Sequence, residues 1–351
     1  MVANARADLS SDYLEGAHPE VLQHLVCTNE EQTSGYGTDA HCERAQELIR
    51  RACDCPEADV TFLMGGTQTN AFIIDAFLAP YQGVIAADTG HIATHEAGAI
   101  EFGGHKVLTV PAHAGKLNAE QVEACANGWE QDGTREHTVM PGMVYLSQPT
   151  EYGTLYSLAE LEAIAKACDA HGLKLYVDGA RLAYGLACST NDVGLADLAR
   201  LTDAFYIGGT KCGALFGEAV VIPQGGAIPH LVAQKKQHGA LLAKGRLLGV
   251  QFESLFEGGD EGVLYRRIGE NALRAADALR EGLVARGRQL HVPSPTNQVF
   301  PIADESELAP LAERLGYSLW ERLGDGRAVI RLATGWATCS ADVEAALEAL
   351  A

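Results

Sequence analysis

The chain has 351 residues, 47 % of them hydrophobic, enough to bury one large core and a smaller one. Its 46 Asp and Glu against 26 Lys and Arg give a formal charge of −20, which argues against nucleic acid or an anionic membrane as a partner of a basic surface. Nine scattered cysteines with no CxxC pair or matching His spacing argue against a zinc motif and read as reduced thiols of a cytoplasmic protein; residues 1–16 lack the apolar stretch of a secretion signal, and no window approaches the roughly 18 apolar residues of a membrane span.

From about Ala17 onward, short apolar runs alternate with helical periods. The runs are residues 60–63 (VTFL), 84–88 (VIAAD), 106–110 (KVLTV), 143–147 (MVYLS), 173–178 (LKLYVD), 204–208 (AFYIG) and 219–222 (AVVI). Strands separated by helices imply an α/β architecture whose mostly parallel sheet is covered on both faces. Helical spacing runs through residues 41–52, 157–172 and 193–200. Ser157 is placed to cap the second of these, Glu160 to complete a capping box, and Gly172 to end it. After Ile222 come two long helical stretches, residues 230–256 and 264–287, then short strands and a closing helix, SADVEAALEAL. The change of texture puts a boundary near residues 245–259. It divides the chain into an N-terminal segment at the site or interface (1–16), a large domain (17–250) and a smaller C-terminal α+β domain (251–351). The site is expected at strand ends facing the seam.

One lysine stands out. In DAFYIGGTKCGALFGEAVVI, residues 203–222, Lys211 sits among Gly, Thr, Cys and Ala between two strand-like pieces. Such a surround lowers a lysine pKa and favours the neutral, nucleophilic amine. Three other features fall at strand ends. LKLYVDGARLAYG delivers Asp178, with Arg181 three residues later; the aspartate reads equally as a functional group, a metal ligand or a helix cap. FLMGGTQTNAF runs a strand through Gly65, Gly66 and Thr67 into a helix, which suits a phosphate or simply a tight turn. ADTGHIATHEAG places His91 past the next strand, where an imidazole either packs, caps or stacks on a flat heteroaromatic ring. Amine, carboxylate and phosphate cradle together meet the needs of pyridoxal 5′-phosphate: a Schiff base on the lysine, an acid on the pyridine nitrogen, a grip on the phosphate.

With these residues in hand, the chain resembles the threonine aldolase family, in the beta-eliminating lyase/threonine aldolase group of fold type I pyridoxal-phosphate enzymes. The matching segments are SDYLEGAHPEVL, GYGTDAH, GGTQTN, HIATHEAGA, YVDGARLAYG, GGTKCGALFGEAVV and AVIRLATGWAT, which together cover nearly the whole length. The resemblance implies an aspartate-aminotransferase-like large domain and a smaller C-terminal domain. It makes Lys211 the Schiff-base lysine, Asp178 the partner of the pyridine nitrogen, and Arg181 a neighbour of the cofactor's phenolic oxygen and of the substrate. His91 becomes the ring-stacking histidine, and Gly65, Gly66 and Thr67 the phosphate loop. Arg331 and Ser11 match the groups that receive the substrate α-carboxylate. Tyr36 and Arg246 match positions that cross to a neighbouring subunit, Arg246 toward the phosphate, so a homodimer or homotetramer with shared sites is expected.

The implied reaction cleaves a β-hydroxy-α-amino acid, such as L-threonine, L-allo-threonine or an aryl analogue, to glycine and an aldehyde. Many relatives carry an ENTHN-like segment whose histidine is associated with the substrate hydroxyl. This chain reads SQPTEYGT instead, with Thr150 at the nearest matching position and Glu151 beside it. The base acting on the hydroxyl is left open among His91, His95, Glu151 and water. A pyridoxal-phosphate β-eliminating lyase or an aminotransferase for a small amino acid would use the same anchors. A non-catalytic pyridoxal-phosphate binder does not account for the retained Arg181 and Arg331, and a metal hydrolase on His91, His95 and Asp178 leaves Lys211 unexplained.

Overall fold

The computed structural model describes residues 6–259 and 262–351, so the first five residues of the expected N-terminal segment lie outside it. A two-residue strand, β1 (Ala7–Asp8), opens the described chain. Seven strands then build one sheet: β2 (Asp59–Leu63), β3 (Gln82–Ala87), β4 (Val107–Val110), β5 (Met140–Ser147), β6 (Lys174–Asp178), β7 (Ala204–Gly208) and β8 (Glu218–Ile222). Their order across the sheet is β2-β8-β7-β6-β5-β3-β4. All pairings are parallel except those of β8, which runs antiparallel to both β2 and β7.

The inner strands read as nearly unbroken apolar runs because both faces are buried, whereas the edge strand β4 exposes Thr109. Along β5, Val144 and Leu146 join the core on one side, while Met143 and Tyr145 join the core on the other. Side chains alternate faces with period two, so a strand covered by helices twice over has no polar position to spare. The helices follow local rules as well. Leu158–His171 begins with a complete Ser157–Glu160 capping box and ends at Gly172, whose φ of 63° is the left-handed cap.

The helical stretch expected over residues 230–256 is two helices, Leu231–Gln237 and Arg246–Phe256, interrupted around Gly239 at φ 65°. The second packs against the helices Pro19–Cys27 and Ala40–Ala52. After it comes the 23-residue helix Val263–Ala285. Its first half contributes Leu264, Tyr265 and Ile268 to the large core, and its second half contributes Ala276, Leu279 and Leu283 to a separate core.

That second core lies under a small antiparallel sheet. Here β9 (Gln298–Val299), β10 (Ile302–Asp304) and β12 (Ser318–Arg322) all pair with β13 (Arg327–Ala333). The short β11 (Leu315–Gly316) instead pairs in parallel with β1, which stitches the N-terminal segment onto the C-terminal part. Ser10, Ser11 and Asp12 are thereby carried to the seam. Among the described residues, no helix is long and apolar enough to cross a membrane.

Candidate active site

Asp178 ends β6, and the chain must turn at once. A Cβ at Gly179 would lie 1.9 Å from the Tyr206 carbonyl oxygen, so only glycine permits this close approach. The carboxylate accepts four hydrogen bonds. Tyr145 Oη and Asn70 Nδ2 donate to Oδ2 at 2.7 and 3.1 Å, while Tyr206 Oη and the Ala180 amide donate to Oδ1 at 2.6 and 2.9 Å. Burial works to raise its pKa, but the charge of His91 and these donors overcome it and hold the group below the ordinary aspartate value.

Lys211 stands in the turn joining β7 to β8, with Tyr184 Oη donating to its carbonyl. Burial, reinforced by the charge of Arg181, lowers the pKa of its amine against the opposing pull of Asp12, Asp178 and Glu218. Glu218, the first residue of β8, accepts from Thr210 Oγ1 at 2.7 Å and the Gly209 amide at 2.9 Å. Burial pushes its carboxyl up to about 7.

The helix Gly66–Phe77 starts beside this turn. Its cap residue, Gly65, offers no side chain to the first amides, which keeps them for a ligand. Thr67 is exposed there, and a Cβ on Gly66 would come within 3.1 Å of Tyr206 Oη. His91 begins the next short helix. Its Nδ1 lies 2.7 Å from Glu96 Oε1, its amide donates to Glu151 Oε1 at 2.8 Å, and Ser147 Oγ donates to the same oxygen at 2.7 Å. Burial raises the Glu151 pKa, and its Oε2 has no hydrogen-bond partner among the described residues. His95 stacks on His91 with centroids 5.6 Å apart, and Trp320 stacks on His95 at 6.3 Å.

Arg181 is clamped by Asp12, Nε to Oδ2 at 2.7 Å and Nη2 to Oδ1 at 3.0 Å, and Asn297 Nδ2 adds a third donor to Asp12 at 2.9 Å. Burial alone would raise Asp12, yet the charges of Arg181 and Lys211 bring it down to about 2. Arg331, on β13, donates from Nη2 to the Ser10 carbonyl at 3.0 Å and lies over the Trp320 ring at 5.2 Å. Burial, with Arg181 nearby, pushes its pKa down to about 10. Arg331 Nε and Ser11 Oγ are both buried without a hydrogen-bond partner among the described residues.

A cavity of about 290 Å³ gathers Gly66, Thr67, His91, Glu151, Asp178, Arg181 and Lys211. Gly65 is the cap of the helix that enters it, while Ser11 and Arg331 do not line it; Arg331 reaches the N-terminal segment at Ser10, next to Ser11. Thr150 does not line the cavity; its Oγ1 meets Thr154 Oγ1 at 2.7 Å and accepts from the amides of Tyr152 and Thr154, which makes it a turn residue. Tyr36 and Arg246 also stand elsewhere. Tyr36 lines a separate cavity of about 330 Å³, and Arg246 donates to the carbonyls of Thr28 and Asn29.

The lining includes residues that sequence reasoning did not single out: Tyr13, Ser147, Pro149, Tyr206, Thr210 and Glu218. Behind them Asp12, Asn70, Glu96 and Tyr145 complete the network. Several of them fall inside the segments that carry the resemblance, Asp12 and Tyr13 in SDYLEGAHPEVL, Asn70 in GGTQTN, Glu96 in HIATHEAGA, Thr210 and Glu218 in GGTKCGALFGEAVV, but no role came with them. Tyr145 and Tyr206 are ordinary strand positions until the sheet brings them together.

Comparison with known proteins agrees with this geometry. The family described as "Beta-eliminating lyase" matches residues 8–306. A low specificity L-threonine aldolase of Pseudomonas aeruginosa is 32 % identical over 94 % of this chain and 92 % of its own, and one from a Pseudomonas species is 31 % identical over 95 % and 94 %. A solved threonine aldolase structure from Leishmania major superposes with a TM-score of 0.93 at 44 % identity, covering 98 % of both chains. A Thermus thermophilus aspartate aminotransferase shares the fold, with a TM-score of 0.72 at 19 % identity over 98 % of this chain and 90 % of its own. Matched at this depth along nearly its full length, the chain belongs to the beta-eliminating lyase family, on its threonine aldolase branch.

Proposed function

We propose that the protein is a pyridoxal 5′-phosphate-dependent aldolase that cleaves L-threonine, L-allo-threonine or an aryl analogue to glycine and an aldehyde. One observation carries the reading: a lysine amine with a lowered pKa and an aspartate held ionised by four donors line one cavity with an uncapped helix N-terminus. That set fits the cofactor of the family. Lys211 would hold it through the amine, Asp178 at the pyridine nitrogen, His91 across the ring face, and Gly65, Gly66 and Thr67 at the phosphate. When bound, the cofactor supplies an electron-withdrawing ring that stabilises negative charge on the substrate Cα.

The chain's own side chains set which bond is broken. Arg331 and Ser11 bring to the seam two buried donors with no partner among the described residues, which an α-carboxylate bound there would supply. Fixing the carboxylate orients the Cα–Cβ bond. Glu151, buried and raised, takes the proton of the β-hydroxyl, which replaces the histidine of the ENTHN-like segment. Asp12 keeps Arg181 fixed beside Lys211, and the Arg181 charge favours the neutral amine.

Tyr36 and Arg246 fit the reading as residues lent to a neighbouring subunit in a homodimer or homotetramer, since both stand outside this chain's own cavity. All nine cysteines are free, which supports a reducing, cytoplasmic setting. The test is a product assay with threonine, allo-threonine and phenylserine. Glycine with the matching aldehyde is expected; ammonia with a keto acid instead, or no glycine from any of the three, defeats the assignment.

A further inference from the structure

Away from the active site, three side chains able to ligate a metal, with a fourth carboxylate beside them, meet at one point. His24 comes from the helix Pro19–Cys27, Glu31 from the loop that follows, His41 from the start of Ala40–Ala52, and Glu253 from Arg246–Phe256. His41 Nδ1 lies 2.6 Å from Glu253 Oε2, and its Nε2 lies 2.8 Å from Glu31 Oε2. His24 Nε2 is 4.0 Å from the same Glu253 oxygen, and the two imidazoles meet edge to face at 5.9 Å. One donor atom each from His24, His41 and Glu253 falls within 4.8 Å of the other two.

Tetrahedral zinc, with bonds of about 2.0–2.2 Å, spaces its ligand atoms by about 3.3 Å, so small side-chain rotations close the triangle. The three ligating side chains are 25 %, 16 % and 15 % exposed, open enough for an ion to enter. His41 is what separates this cluster from an ordinary ion pair. Glu31 occupies its outer nitrogen, while the inner nitrogen faces Glu253 and the His24 side. Metal-bound imidazoles are commonly oriented this way, by a carboxylate on the nitrogen that does not bind the ion.

We propose that His24, His41 and Glu253 hold a divalent transition-metal ion of zinc chemistry, with Glu31 fixing the His41 tautomer and water in the fourth position. Each ligand binds the ion in its basic form, so affinity should fall as pH is lowered. Two nitrogen donors favour zinc over calcium or magnesium, which take oxygen. The ion would tie the loop after Cys27 to the helix Arg246–Phe256, whose Arg246 already holds the carbonyls of Thr28 and Asn29. Its role is to pin the segment leading to Tyr36.

The experiment titrates Co²⁺, then Zn²⁺, into the cofactor-loaded enzyme after adventitious metal has been removed. We expect one equivalent per chain, with the visible absorption of tetrahedral cobalt that zinc displaces. Melting should rise by about 5 °C at roughly 100-fold excess over Kd. His24→Gln and Glu253→Gln should weaken binding at least about 100-fold, and Glu31→Gln by about 10- to 100-fold. Wild-type protein that gives no tetrahedral cobalt signal overturns the site, and this measurement stands even where a variant fails to fold. Unchanged affinity in folded His24→Gln and Glu253→Gln overturns it too.

Discussion

Two buried carboxylates act on the same lysine and end in opposite states. Asp178 and Glu218 are 5 % and 3 % exposed, so desolvation alone does not distinguish them. Asp178 accepts four hydrogen bonds beside His91, whereas Glu218 accepts two. The first is held below its ordinary pKa and the second is pushed up to about 7. Burial prices both groups alike; the number of donors and the nearest cation decide which one stays charged. The permanent charge is on the group that the proposed function sets against the cofactor's pyridine nitrogen.

The sharpest way to break the contrast is to remove the group both carboxylates act on. Lys211→Ala is expected to lose activity by on the order of 10^4-fold or more, together with the near-ultraviolet to blue imine absorbance of the loaded enzyme. Asp178→Asn keeps the shape and deletes the charge; kcat should fall by about 10^3-fold with little change in melting. Asp12→Ala attacks from the other side by stranding Arg181, 8 % exposed, without its clamp. Unfolding by denaturant should register a loss of about 3–5 kcal/mol.

Two smaller changes sharpen the comparison. Tyr206→Phe removes one of the four donors, which raises the Asp178 pKa; the acid limb of the pH–rate profile should move upward, with about a tenfold loss near its midpoint. Glu218 is raised in the fold, so the folded chain holds that proton more tightly than the unfolded one. The resulting stability is complete below pH 4.5, the ordinary glutamate value, and is lost as pH rises through about 7. Glu218→Gln stays neutral throughout, so it should be more stable than wild type above pH 7, by on the order of 1 kcal/mol where Lys211 offsets part of the cost, and the advantage should vanish near pH 4.5. A stability curve for Glu218→Gln parallel to wild type over that range would remove the distinction between the two acids.

Much of this was legible in the residues. The large-sheet strands announced themselves because all but the edge strand β4, with Thr109 exposed, are almost wholly buried apolar runs, and the helix Leu158–His171 because its cap, box and closing glycine are local. The reversed direction of β8 follows from a link of only nine residues, 209–217, between β7 and β8, too short for the dozen or so that a parallel crossover needs. The break around Gly239 was masked by continuing helical composition on either side. Asn70, Tyr145 and Tyr206 escaped for a different reason. Tyr145 and Tyr206 are unremarkable strand residues that the register of β5, β6 and β7 aims at one carboxylate, and Asn70 reaches the same group from the helix Gly66–Phe77. Asp12 needed one more step, the pairing of β1 with β11 that draws the N-terminal segment across the seam.

The helix Val263–Ala285 works as a lever about 35 Å long. Its far arm is embedded under the sheet that carries Arg331. On its near arm, the Tyr265 hydroxyl grips the Gly208 carbonyl at 2.9 Å, three residues before the lysine. A substitution near Leu279 or Leu283, far from the cavity, thus has a continuous packed path to the turn that carries Lys211.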